Sequence, residues 1–103
     1  MQYGLESHII EKIRAVFSHY PRIDKALIYG SRAMGNYKPA SDIDISLIGE
    51  DLSLDDISKI EWELDDLLLP YTFDLSIYYK ITNPDLQEHI DRVGKIFYER
   101  GQD

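Results

Sequence analysis

A chain of 103 residues with 44% hydrophobic residues is long enough to bury one core and too apolar to remain unfolded, so a single domain over 1–103 is expected. A formal net charge of −8 argues against stable direct binding of nucleic acid, which takes clustered Lys and Arg. The absence of cysteine excludes disulfides, iron–sulfur clusters and cysteine-ligated zinc, and no run approaches the roughly 20 apolar residues of a membrane span, so a soluble cytoplasmic protein is expected.

Ile9, Ile10, Ile13, Val16, Phe17 and Tyr20 recur at helical spacing, and Pro21 closes that segment. Lys25 to Tyr29 reads as a short buried strand, ended by Gly30-Ser31, which opens a brief turn or one-turn helix to Gly35. Asn36 to Ala40 is a loop by composition. Ile43 to Ile48 is a second strand, and Gly49-Glu50-Asp51 a turn. Ser53 with Asp56 resembles a capping box that opens a helix through Ile57, Ile60, Leu64, Leu67 and Leu68, stopped by Pro70. Thr72 to Tyr78 alternates, with Phe73, Leu75 and Ile77 on one side and Thr72, Asp74 and Ser76 on the other. Asn83-Pro84 starts a helix with Leu86, Ile90 and Val93 as its stripe, Gly94 ends it, and Lys95 to Tyr98 is a last strand. The predicted class is α/β (α+β), a small mixed sheet with helices packed on it.

Asp42 and Asp44 are the leading functional candidates. Asp is disfavoured in strands, and the neighbours Ile43, Ile45, Leu47 and Ile48 indicate burial rather than a merely solvated strand end. At i and i+2 the two carboxylates share a face about 6.6 Å apart. Like charges at that distance repel by roughly 2.5 kcal/mol at an effective dielectric of about 20. A divalent cation turns that repulsion into a binding site. Asp74, on the polar side of its own strand, is the third candidate. Three carboxylates from two strands can hold a pair of Mg²⁺ ions about 3.5–4 Å apart, the spacing used for in-line phosphoryl displacement. Gly30 allows close backbone approach, and Ser31 adds a hydroxyl at a turn whose free N–H groups suit phosphate. No G-x-x-x-x-G-K-[ST] run is present, so a P-loop is unsupported. Arg32 and Lys38 are candidates for a triphosphate tail, with solvated surface charge as the alternative for each.

Gly30-Ser31, ten intervening residues and then Asp42-x-Asp44 resemble the signature of the DNA polymerase β-like nucleotidyltransferase superfamily. The short length and the separate acid in Phe73-Asp74-Leu75 resemble its minimal nucleotidyltransferase branch. The resemblance implies that fold, with Gly30 and Ser31 at the nucleotide phosphates and Asp42 and Asp44 ligating Mg²⁺. It also implies that Asp74 completes the metal site and assists deprotonation of an attacking hydroxyl. Met34 departs from the pattern, standing where many members carry a basic residue. Neutralisation of the triphosphate is therefore expected to be weaker, or shared with Lys38 or a partner.

His8, His19 and His89 suggest no zinc site by their spacing, and the acids from Asp55 to Asp66 read as the solvated face of a helix. Trp62 and the eight tyrosines are interface candidates, although core packing is the default for most. The expected activity is transfer of AMP from Mg·ATP to a hydroxyl. After the catalytic fold is built, little chain remains for a substrate domain, so a partner is expected to present the acceptor. Minimal nucleotidyltransferases resemble antitoxins that pair with all-helical HEPN toxins and adenylylate a toxin tyrosine, which makes such a partner the leading expectation. A small-molecule alcohol held with a partner subunit, or a non-catalytic antitoxin that acts by binding alone, are the alternatives.

Overall fold

The computed structural model describes residues 1–101; the last two residues of the expected single unit lie outside the described part. The elements run α1 (Ser7–Ser18), β1 (Lys25–Tyr29), α2 (Gly30–Met34), β2 (Ile43–Ile48), α3 (Leu54–Asp66), β3 (Phe73–Ile77), a 3₁₀ turn (Tyr78–Lys80), α4 (Pro84–Val93) and β4 (Lys95–Glu99). The strands form one sheet in the order β3-β2-β1-β4. β1 pairs antiparallel with β2 and β4, whereas β2 and β3 are parallel, joined by the crossover helix α3. This is the mixed sheet expected from sequence.

Period-two alternation sorts the strand residues between two layers. Ala26, Ile28, Ile43, Ile45 and Leu47 are fully buried in one cluster with residues of α1 and α3. α1 contributes Ile9, Ile10, Ile13, Val16 and Phe17 from one stripe, and α3 contributes Ile60 and Leu64. Ile90 of α4 is buried outside that cluster, and α4 lies against α2 and β1.

Local chemistry sets the helix starts. Asp56 N donates to the Ser53 hydroxyl at 3.3 Å, and Ser53 N donates to the Asp56 carboxylate at 2.9 Å, completing the expected capping box. Pro84 occupies the first turn of α4, while the Asn83 carboxamide oxygen accepts from Asp85 N and Leu86 N.

Three features differ from the sequence reading. α3 stops at Asp66, short of Leu67 and Leu68, because the chain reverses through a left-handed Leu68 (φ 56°) that leaves this side chain 89% exposed. α1 stops at Ser18, and Tyr20 instead donates from its hydroxyl to Glu63 of α3 at 2.6 Å. Burial and that bond push the Tyr20 hydroxyl up to about 12. β3 spans Phe73–Ile77, so Thr72 and Tyr78 fall outside it, whereas Trp62, an interface candidate, is 74% exposed on α3. Among the described residues no helix is long and apolar enough to cross a membrane.

Candidate active site

The strand register assembles the site. Tyr29 of β1 lies opposite Asp44 of β2, and Asp44 lies opposite Asp74 of β3, so the three form one row across the sheet. The next row inward on that face is Leu27, Ser46 and Ser76, with the Ser76 hydroxyl donating to the Ser46 hydroxyl at 3.1 Å. A polar strip on the face away from the core is what alternation requires when Ile43, Ile45 and Leu47 point the other way.

β1 ends directly above this strip, and the chain turns sharply at Gly30, whose φ of 70° lies in the left-handed region. A Cβ at Gly30 would collide with Asp44 Oδ2. Glycine is thus favoured twice, by conformation and by the approach of the carboxylate. One helical turn follows, closed by Gly35 N donating to Ser31 O at 2.9 Å. Ser31 is half-buried on that turn.

The acids act on one another through their charges. Burial raises the Asp44 carboxyl above the usual carboxylate range, and the charges of Asp74 and Asp42 push it further up. The positive charge of Arg32 acts in the opposite direction. The Tyr29 hydroxyl is also raised, chiefly by burial; Ser76 counters this, and Asp74 and Asp44 add to it.

Asp42 and Asp74 are exposed, and Asp42 precedes the first residue of β2. Among the described residues no set of three or more His, Cys, Asp or Glu is arranged to hold a metal ion by itself. The three-acid cage expected from sequence is therefore not preformed: two acids are fixed by strand register, while the third rides on a loop. The donor set still fits a hard divalent cation in kind, being carboxylate oxygens held near one another against their own repulsion.

Arg32 requires a correction. Expected at a triphosphate tail or on the surface, it is 2% exposed. Its Nε and Nη2 donate to Ser41 O at 3.1 and 2.9 Å, Nη2 also donates to Pro39 O at 3.2 Å, and Nη1 donates to Tyr3 O at 2.9 Å. The guanidinium lies over the rings of Tyr37 and Tyr71, 5.5 and 5.0 Å from their centroids. A planar fork with fixed donors suits this carbonyl cluster. Arg32 ties Tyr3, ahead of α1, to the loop carrying Asp42, and it reaches Asp44 through charge alone. Lys38 is exposed on the same loop, and Met34 is exposed at the end of α2.

Sequence reasoning missed His89. Its Nε2 accepts the Gly30 N–H at 3.2 Å, and its ring meets Tyr29 edge-on with centroids 6.0 Å apart. The available signal was its place three residues after Leu86 and next to Ile90, on the border of the α4 apolar stripe. Nothing local showed that a turn 59 residues away would be its partner.

The family model for polymerase beta, nucleotidyltransferase, matches residues 11–103. The chain belongs to that nucleotidyltransferase family. No curated protein is significantly similar in sequence. Among solved structures, a toxin–antitoxin complex with AMP-PNP contains a chain 23% identical to this one, with a TM-score of 0.71 over 96% of this chain and 77% of the other. The tri-AMPylated HEPN toxin of Shewanella oneidensis in complex with its MNT antitoxin gives 20% identity and a TM-score of 0.69, covering 96% and 76%. The MntA–HepT toxin–antitoxin gives 20% identity and a TM-score of 0.68, covering 95% and 76%. These likenesses show the shared fold.

Proposed function

We propose that this chain transfers AMP from Mg·ATP to a hydroxyl, and that the acceptor is a tyrosine of an all-helical HEPN-type partner in the cytoplasm, which the transfer silences. The Tyr29–Asp44–Asp74 row facing a turn made at a left-handed glycine, with Asp44 Oδ2 where a Cβ would stand, is the observation that carries the reading. Family membership supports nucleotidyl transfer, and the AMP-PNP and tri-AMPylated toxin complexes support the nucleotide and the partner by analogy.

In this reading Asp42, Asp44 and Asp74 would hold up to two Mg²⁺ ions. When bound, these ions supply charge neutralisation for the triphosphate and acidify the acceptor hydroxyl. Gly30 shapes the phosphate turn and Ser31 offers it a hydroxyl and a backbone N–H. Lys38 approaches the outer phosphates from its loop, sharing the neutralisation that Met34 does not provide. The acceptor oxygen attacks the α-phosphorus, forming a new O–P bond as the bond to the β-phosphate oxygen breaks and pyrophosphate leaves. Asp74, the exposed acid of the row, takes the hydroxyl proton. Burial and the neighbouring charges resist ionisation of Asp44, a balance that a cation held there would reverse.

The test is a transfer assay with the purified chain, Mg²⁺, each labelled nucleoside triphosphate in turn and the protein that co-purifies with it. Label from ATP on a partner tyrosine is expected, and it should vanish in the double variant Asp42→Ala, Asp44→Ala with the fold intact. Protection of cells by that double variant would show that binding, not catalysis, silences the partner. Label on a small alcohol would shift the acceptor class and keep the chemistry.

A further inference from the structure

Resting on the nucleotidyl-transfer reading, we infer that His89 is a positioning residue of the nucleotide site, holding the Gly30 turn through its Nε2 so that Ser31, rather than Gly30, supplies the phosphate donors. The Gly30 N–H is the first donor of the turn, and it points at an imidazole nitrogen 3.2 Å away. A nitrogen that accepts carries no proton, so the neutral ring bears its hydrogen on Nδ1. That bond engages the Gly30 donor within the chain.

Three further observations give the contact its role. Gly30 is left-handed and has no side chain, so at that residue the turn is fixed by backbone contacts alone, its side-chain packing beginning only at Arg32 and Ala33. Asp44 Oδ2 occupies the space where its Cβ would be, so a shift of the turn is also a shift against the carboxylate. The His89 ring is itself braced edge-on by Tyr29, the residue that opens the acid row. α4 is held at both ends, by the Asn83 cap and by Gly94 leading into β4, whose first residue pairs with Ile28 of β1. His89 is thereby an anchor presented by a capped helix to the backbone at the start of the turn. A half-buried histidine that merely packs against Tyr29 would not need an acceptor at Nε2.

Glutamine and asparagine separate the two roles. His89→Gln can place a carbonyl oxygen near the position of Nε2, whereas His89→Asn is equally polar but too short. Amide hydrogen exchange of the nucleotide-free chain is read first. Gly30 should stay protected in the wild type and in His89→Gln and exchange faster in His89→Asn, with both variants melting as cooperatively as the wild type. Transfer kinetics follow. His89→Asn should raise KM for Mg·ATP about tenfold with kcat changed less than about twofold, and His89→Gln should restore KM to within about threefold. Equal Gly30 protection in all three chains, or equal loss of nucleotide affinity in both variants, overturns the inference. Should the exchange pattern hold while the wild type binds no Mg·ATP, the hydrogen bond stands but the nucleotide reading falls, and the role assigned to His89 falls with it.

Discussion

On one face of β2, Ile43, Ile45 and Leu47 are fully buried beneath α1 and α3, while on the other, Asp44 and Ser46 meet Tyr29, Asp74 and Ser76. The same strand serves both because successive side chains point to opposite sides. The first face loses free energy when any methylene is removed. The second holds carboxylates against their own repulsion and is the face to which the proposed chemistry is assigned. Stability and reactivity are thus separated by one residue step along the chain, and substitutions at adjacent positions should have effects of different kinds.

The largest effect should come from Asp44→Asn. Transfer should fall by about a thousandfold or more, measured as label on the acceptor. Folding should respond in the opposite sense. The folded-state pKa of Asp44 is raised above its ordinary 3.8, so the folded chain binds that proton more tightly than the unfolded one. Its contribution to stability is therefore fully present below 3.8 and is lost as pH rises through the folded value. At neutral pH the ionised group disfavours the fold. The Asn variant should be more stable than the wild type in urea at pH 7, with the gain disappearing in acid.

Next in size, Leu47→Ala on the core face should destabilise by about 2–5 kcal/mol in urea unfolding. Its neighbour Ser46→Ala should change stability far less, and equal losses at the two positions would break the division between faces. Gly30→Ala, which combines a left-handed residue with a collision against Asp44, should lower stability by about 1–2 kcal/mol and transfer much more. The smallest effect should come from Ser53→Ala, which removes the α3 capping box on the core side. It should cost about 1 kcal/mol and leave transfer unchanged.

Elements defined by strong local chemistry were legible in the sequence. The starts of α3 and α4, the bounds of β1 and β2 and the side on which Asp74 lies all follow from caps and periodicity. The Asp44–Asp74 pairing needed the parallel register, which no single strand declares. Arg32 was misread because an arginine in a short polar turn looks solvated, and the carbonyls that bury it come from Tyr3, Pro39 and Ser41 once the chain has folded. His89 was invisible for the same reason, since its partner belongs to a different element. The end of α3 was missed because Leu67 and Leu68 continue the apolar pattern, whereas the backbone has already turned at Leu68.

Calorimetric titration of Mg·ATP into the purified chain, with and without EDTA, beside the same titration into Asp44→Asn, is the most direct measurement. Saturable heat from a single site, abolished both by the chelator and by the variant, is the expected result. An isotherm that neither chelation nor loss of the Asp44 charge alters would contradict the assignment of this acidic row to a metal-bound nucleotide.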